Sequence, residues 1–121
     1  MRLTDLTTRQ QDIFAHRVTL MRDDLSDYDC RELFGADSLQ VSHICAAVMD
    51  DIEWDTIRRA WGHDLTNSVL ADAVDGGTYL AAYEADPDWS PLRLASLTRS
   101  ANALAKIVTR ETGIEVEYPE H

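Results

Sequence analysis

The feature that most constrains the fold is an apolar repeat within residues 38–61, SLQVSHICAAVMDDIEWDTIRRAW. Intervals of three and four residues place six side chains on one face of a helix: Val41, Ile44, Cys45, Val48, Met49 and Ile52. The hydroxyl of Ser38 can cap this helix by accepting a hydrogen bond from an unpaired backbone N–H. The opposite face has no lysine or arginine. The pattern therefore predicts the core helix of a small bundle, and it also fits the second helix of a helix-turn-helix.

Most of the remaining chain has helical periodicity as well. Further helices are predicted over residues 3–24, over 27–35 after a cap at Ser26 or Asp27, over 56–65 after Asp55, over 68–74 after Thr66 or Asn67, and from Pro91, capped by Ser90, to Thr112. Residues 78–85 fit a short strand as well as a helix, and their leucine and alanines favour the helix. The tail IEVEYPEH alternates apolar and acidic residues, which is typical of a short C-terminal β-strand. We expect a mainly α, compact bundle of about five helices, with a helix-turn-helix-like first half.

The length of 121 residues suits a single domain over 1–121. A chain of this size can bury roughly two-thirds of its unfolded surface, so it does not depend on a disulfide or a metal for stability. Leu33 and Phe34 are expected to be buried in the short helix. Arg58 and Arg59, the adjacent basic pair, are expected to form salt bridges with Asp50, Asp51 or Asp55, or otherwise to bind an anion.

The charge balance is the strongest compositional constraint on function. The chain has 22 acidic residues against 11 lysines and arginines, a formal net charge of −11, and Lys106 is its only lysine. Such a charge repels phosphate backbones and anionic membranes. It favours a basic protein partner, such as one that handles nucleic acid, over direct nucleic-acid binding. The acidity fits a solubilising surface, adaptation to salt, or mimicry of the charge of a nucleic acid.

The leading hypothesis is a non-catalytic acidic binding protein, such as a phage-type inhibitor that mimics DNA charge. The candidate partner-binding residues form three acidic clusters, and the second of these surrounds a tryptophan in a proline-bounded loop. They are Asp23, Asp24, Asp27 and Asp29; Asp86 and Asp88 with Trp89; and Glu115, Glu117 and Glu120.

A second hypothesis is a helix-turn-helix DNA-binding regulator. A short helix, a tight turn at GADS and the helix beginning at Ser38 follow one another in that order. The run LTTRQQDIF resembles the start of the DNA-binding domain of some bacterial repressors, including LexA-type ones, over about nine residues with no functional motif. Bases would be contacted by Gln40, Ser42 and His43, and phosphates only by Arg2, Arg9, Arg17 and Arg31.

A third hypothesis is a virion or assembly component. Leu94, Leu97, Ala101, Leu104 and Val108 form a heptad-like seam that would pack on the bundle or on a second copy of the chain. A homo-oligomer would use the Leu94, Leu97 and Leu104 face.

The sequence has no recognisable catalytic or metal-binding motif. It lacks a glycine-rich phosphate loop, HExxH and GxSxG. The aspartates of residues 23–29 do not have the spacing of a calcium loop, because Arg31 would occupy a ligand position. Cys30 and Cys45 are far apart, and Cys45 lies on the apolar face. We expect no enzyme activity, no cofactor and no metal, although a site built from distant residues needs no motif.

The N-terminal sequence lacks the apolar region of a signal peptide. We therefore expect a cytoplasmic protein.

Overall fold

The computed structural model describes residues 1–75 and 91–117, with only the backbone described at 91–94. These ranges are mainly helical, as predicted. After a 3₁₀ turn at Leu3–Asp5, the helices are α1 (Thr8–Asp24), α2 (Asp27–Phe34), α3 (Ser38–Met49), α4 (Trp54–Trp61), α5 (His63–Asp72) and α6 (Pro91–Thr112). None of the helices that the structure describes is both long enough and apolar enough to cross a membrane.

Helix α3 lies at the centre of the core. Val41, Ile44, Cys45 and Val48 have no exposed surface, as their helical spacing predicted. Their helix packs most extensively against α1 and also contacts α2, α4 and α5. The core residues of α1 follow the same periodicity and are equally buried: Ile13, Phe14, Val18 and Met21.

The cap of α3 lies one residue earlier than the sequence predicted. Asp37, rather than Ser38, accepts a hydrogen bond from the backbone N–H of Gln40, at 2.8 Å. Thr7 caps α1 in the same way. Both helices carry glutamine at the third position, whose side chain bonds back to the N-cap N–H, so each end is a capping box. In α3 this explains the cap at Asp37, because the residue three positions after Ser38 is Val41, whose side chain cannot return the hydrogen bond.

The predicted first helix over residues 3–24 is interrupted before α1. Leu6 is extended, and the N-terminal segment instead binds the loop between α3 and α4. Thr4 donates through its N–H and its hydroxyl to the carboxylate of Asp51, and the N–H of Trp54 donates to the carbonyl oxygen of Met1 at 2.8 Å. These contacts, between residues about fifty positions apart, have no signature in local periodicity.

The segment after α3 is divided differently from the prediction. Helix α4 begins at Trp54 rather than after Asp55, and Gly62, at a φ of +95°, separates it from α5. That φ is unfavourable for residues with a Cβ, so the glycine permits the change of direction. Helix α5 then runs from His63 without a cap at Thr66, whose side chain is fully buried.

Several apolar residues are placed differently from the pattern. Trp54, which is not part of the apolar repeat, is fully buried. Its ring packs on that of Phe14, with the ring centroids 5.7 Å apart. Ile52 falls beyond the end of α3 and is 40 % exposed, while Leu33, expected in the core, is 53 % exposed. Helix α2 turns Cys30 inward instead of Leu33, and Phe34 is half-buried.

The C-terminal strand is not supported. Within the described part of the tail, residues 113–117 have no regular secondary structure, and no other described segment pairs with them as a strand. Ile114 and Val116 are half-buried, while Glu115 and Glu117 are exposed. The alternation of apolar and acidic residues thus reflects an irregular segment that lies along the surface of the helices, with its apolar side chains partly covered. Residues 118–121, the predicted helix over 78–85, the acidic loop around Trp89 and the Ser90 cap lie outside the described residues.

The seam of α6 packs on the bundle. Leu97, Ala101, Leu104 and Val108 are all buried in the core of the same chain. The side chain of Leu94 is not among those described. Leu97 and Leu104 are therefore not available on the surface for a second copy.

Arg58 joins three helices. Its guanidinium donates to the Asp55 carboxylate on α4, to the Asn67 side-chain oxygen on α5 and to the Glu111 carbonyl oxygen on α6, at 2.8 to 3.0 Å. The side chain is 7 % exposed. The expected pairing with Asp55 is confirmed, whereas exposed Arg59 bonds only the Thr56 hydroxyl among the described residues.

Replacing Arg58 with alanine should lower the free energy of unfolding by about 2 kcal/mol. The change leaves the Asn67 and Glu111 oxygens without their charged donor, but Asp55 is exposed enough to regain water, which keeps the loss below that of a fully buried ion pair. Arg59→Ala is the matched control and should stay within about 0.5 kcal/mol. Urea titration gives both values, and equal losses for the two variants would contradict this account.

Candidate acidic binding surface

The four aspartates around the α1–α2 junction are Asp23, Asp24, Asp27 and Asp29, and two of them are neutralised within the chain. The Arg22 guanidinium bonds the Asp23 carboxylate at 2.9 Å and lowers the pKa of that carboxyl. The Arg31 guanidinium bonds Asp27 at 2.8 Å, and the N–H of Ser38 donates to the other oxygen at 3.0 Å. Both contacts lower the pKa of the Asp27 carboxyl, and the bond from Arg31 has the larger effect.

The bond to Ser38 gives Asp27 a structural role. It joins the first residue of α2 to the first residue of α3 across the turn formed by Gly35, which has a φ of +64°. Asp27 therefore helps to hold the two helices in their relative position, a role different from the partner contact predicted for it.

Asp24 and Asp29 have exposed side chains. Neither carboxylate forms an ion pair or side-chain hydrogen bond with any residue of the described ranges. The junction thus presents two uncompensated negative charges, not four. Their positions were predicted from sequence, but the internal pairing of their neighbours was not.

The remaining predicted contact residues lie on the tail or outside the described residues. Glu115 and Glu117 are exposed on the tail, residues 113–117. Asp86, Asp88, Trp89 and Glu120 lie outside the described residues. The part of the predicted set that the structure describes is thus divided between the α1–α2 junction and the tail.

A shallow groove of about 180 Å³ lies between the end of α2, the end of α5 and the tail. It has apolar and acidic walls, and its lining residues are Leu33, Phe34, Ser68, Ala71, Asp72, Asp75, Ile114, Glu115 and Val116. Only Glu115 was singled out by the sequence. The three segments are distant along the chain, and no single segment has a motif, so the groove had no sequence signal beyond the alternation of the tail.

The charge of the groove is partly balanced from one side. Arg17 on α1 donates to the carboxylate of Asp72 at 2.8 Å, and both side chains are more than four-fifths buried. No lysine, arginine or histidine belongs to the lining. The Asp72 carboxylate is therefore neutralised within the chain, and Glu115 is the exposed acid of the lining.

The order of elements expected for a helix-turn-helix is present, but the expected contact residues make other contacts. Helix α2, the turn at 35–37 and α3 have the predicted order. The side-chain oxygen of Gln40 accepts from the Asp37 N–H, His43 packs on Trp61 with ring centroids 5.2 Å apart, and Ser42 is half-buried.

The arginines expected to contact phosphates are also largely paired with acids. Arg17 bonds Asp72, Arg31 bonds Asp27, and Arg2 lies 3.9 Å from the carboxylate of Glu53. Within the described residues, only Arg9 of the four has no acidic partner. These pairings reduce the positive charge that this face could offer to a phosphate backbone.

The two cysteines are core residues rather than reactive groups. Both are free and buried. Burial raises the pKa of the Cys45 thiol to about 12 and also raises that of Cys30. Thiols in this state are weak nucleophiles and weak metal ligands. Across residues 1–75 and 91–117, no three histidines, cysteines or acids are grouped to hold a metal ion.

Comparisons of the chain with protein-family models, with curated proteins and with solved structures gave no significant match. The functional argument therefore depends on the charges and contacts described above.

Replacing Asp27 with asparagine should destabilise the protein at neutral pH and have less effect in acid. The lowered pKa of Asp27 means that its charged form stabilises the fold above the ordinary carboxyl pKa, and that this contribution disappears as the pH falls through the lower folded-state value. Asparagine keeps one oxygen that can accept from Ser38, but it removes the charge and replaces the oxygen that accepts from Arg31 with an NH2 donor. Unfolding free energies of both proteins at pH about 7 and about 3 test this, and a pH-independent difference would contradict it.

Proposed function

We propose that this chain is a non-catalytic binding protein that acts through its negatively charged surface on a basic protein partner. The observation that carries the proposal is the unequal use of charge. Asp24, Asp29, Glu115 and Glu117 are exposed without a cation among the described residues, whereas Arg17, Arg31 and Arg58 are bound to acids of the same chain. The surface is therefore a source of uncompensated negative charge.

The physical consequence is long-range attraction to cationic surfaces. At physiological ionic strength a charge acts over about 8 Å, so carboxylates on one face reinforce one another and accelerate encounter with a basic partner. A partner that normally binds nucleic acid has such a cationic groove. We propose inhibition of such a partner by charge mimicry, as in small phage-type inhibitors, as the finer form of this function.

A helix-turn-helix regulator is the second candidate, and the arrangement of α2, its turn and α3 favours it. The engagement of Gln40 and His43 and the pairing of three of the four arginines weigh against it. A DNA reader should retard a DNA duplex at low salt, and the absence of any shift there would rule this candidate out.

An assembly component is the least supported of the three candidates. Leu97 and Leu104 of its expected interface are buried within the chain itself. For the location of the protein, we propose the cytoplasm, a reducing compartment in which free cysteines such as Cys30 and Cys45 persist.

The function is tested by reversing one uncompensated charge. Asp29→Lys should reduce capture of basic proteins from an extract of the producing cells several-fold, because it removes an acid from the junction and adds a repelling cation. Raising the salt from about 0.1 to 0.5 M should release the wild-type protein's partners. Quantitative mass spectrometry of the captured proteins measures both effects.

Asp64→Lys is the matched control. Asp64 is also exposed and also lies in the first turn of a helix, so the change in net charge and the cost at the helix terminus are the same. It should reduce capture less than Asp29→Lys does. Partners that stay bound at high salt, or that are captured equally by both variants, would contradict a role for the junction acids.

A further inference from the structure

Helix α2 directs more apolar surface to solvent than to the core. Cys30 is the only residue of this helix that is buried, and Phe34 is half-buried. By contrast, Tyr28 is 71 % exposed and Leu33 is 53 % exposed. They are two of the four large apolar side chains that are exposed in the part of the chain that the structure describes. Helix α2 thus has an apolar surface that no described residue covers.

The exposed apolar residues of α2 share one face of the helix with two acids. Tyr28 and Glu32 are four residues apart, as are Asp29 and Leu33, so the members of each pair lie one above the other and the two pairs lie side by side. All four residues are exposed. This set, residues 28, 29, 32 and 33, is the outer face of α2. A ligand group placed on it lies close to both an apolar side chain and a carboxylate.

The acids of the outer face are not neutralised within the described ranges. Neither Asp29 nor Glu32 forms an ion pair or a side-chain hydrogen bond there. Arg31 is the one basic residue of α2, and it bonds Asp27, which lies outside this face. The helices that pack most extensively on α2 are α3 and α5, and neither contains a lysine or an arginine. The outer face therefore keeps two negative charges and favours a cationic ligand.

Arginine is the cationic side chain that matches this combination of groups. Its planar guanidinium can stack on an aromatic ring and donate to a carboxylate at the same time, whereas the lysine ammonium is a compact, strongly hydrated charge. Tyr28 and Asp29 offer the ring and the carboxylate side by side. A second copy of the chain is disfavoured, because it would bring another net charge of −11 to an acidic face. An anionic membrane is disfavoured for the same reason.

We propose that the outer face of α2 binds an arginine-containing segment of the basic protein partner. One arginine of that segment stacks on Tyr28 and donates to Asp29 or Glu32. A neighbouring apolar side chain of the segment covers Leu33. The proposal rests on the proposed function, and it gives that function a location and a preferred side chain. The acids of the whole surface attract the partner over distance, and the contact with Tyr28 selects arginine over lysine.

The probes are two fluorescein-labelled peptides, one in which arginine and leucine alternate and one in which lysine replaces every arginine. Fluorescence anisotropy at about 0.1 M salt measures their affinities. The wild-type protein should bind the arginine peptide about fivefold more tightly. Tyr28→Ser should reduce this preference to less than about twofold, and Tyr28→Phe, which keeps the ring, should retain it. Leu39→Ser removes an exposed apolar side chain of α3, outside this face, and should leave both affinities unchanged.

The acidic part of the face is tested by a second matched pair. Glu32→Gln should weaken binding of the arginine peptide about fivefold, because it removes a carboxylate from the face. Asp12→Asn also removes one exposed acid from a helix, but it lies on α1, about 18 Å along that helix from Asp24 and beyond the screening length. It should weaken binding less than about 1.5-fold. Thermal melts of each variant establish that these exposed changes leave the fold intact.

The outcomes separate the outer face of α2 from the general function. Salt-sensitive binding with equal losses for Glu32→Gln and Asp12→Asn, and an unchanged arginine preference in Tyr28→Ser, would overturn the outer face and leave charge-driven binding standing. Binding that is indifferent to salt would overturn the proposed function itself. No binding at about 1 mM peptide would overturn the docking site. A concentration-dependent mass of the protein alone that Tyr28→Ser abolishes would overturn the choice of occupant in favour of a second copy.

Discussion

The packing of α3 against α1 is the contact on which the rest of the structure depends. The buried face of α3 meets Phe14, Val18 and Met21 of α1, and none of these side chains exposes more than 1 % of its surface. Helices α2, α4 and α5 each contact α3 as well. Four of its residues are committed to the interior, and its first turn forms the capping box and bonds Asp27 of α2. The proposed function therefore uses other elements.

Charge is the second organising constraint. A chain with 22 acids and 11 lysines and arginines cannot pair every carboxylate, and its arginines are used selectively. Arg58 ties α4, α5 and α6 together, Arg17 joins α1 to α5, and Arg31 supports the turn before α3. Three arginines thus serve internal joints, while Asp24, Asp29, Glu115 and Glu117 are exposed without a cation among the described residues. This division makes the proposed contact with a basic partner physically easier for this chain than contact with phosphate.

The sequence predicted the elements whose signals are local. The α3 repeat, the Ser26 cap, the Gly35 turn and the opening of α6 at Pro91 all follow from the spacing or the conformational preference of adjacent residues, and the structure contains them. Contacts between distant residues had no local signal. Trp54 packs on Phe14, Thr4 donates to Asp51, and the N–H of Ser38 donates to Asp27. The groove is the strongest example, because its three walls come from residues 33–34, 68–75 and 114–116 and have no shared pattern.

The most direct test of the account is to map where a basic ligand contacts the chain. Backbone amide chemical shifts of the labelled protein, titrated with an arginine-rich peptide at low salt, locate the bound surface. The account predicts that perturbations concentrate at the α1–α2 junction around Asp24 and Asp29 and at residues 115–117, and that high salt reverses them. Perturbations concentrated instead on the first turns of α3, at Leu39, Gln40 and His43, would contradict it and would support a helix-turn-helix contact surface.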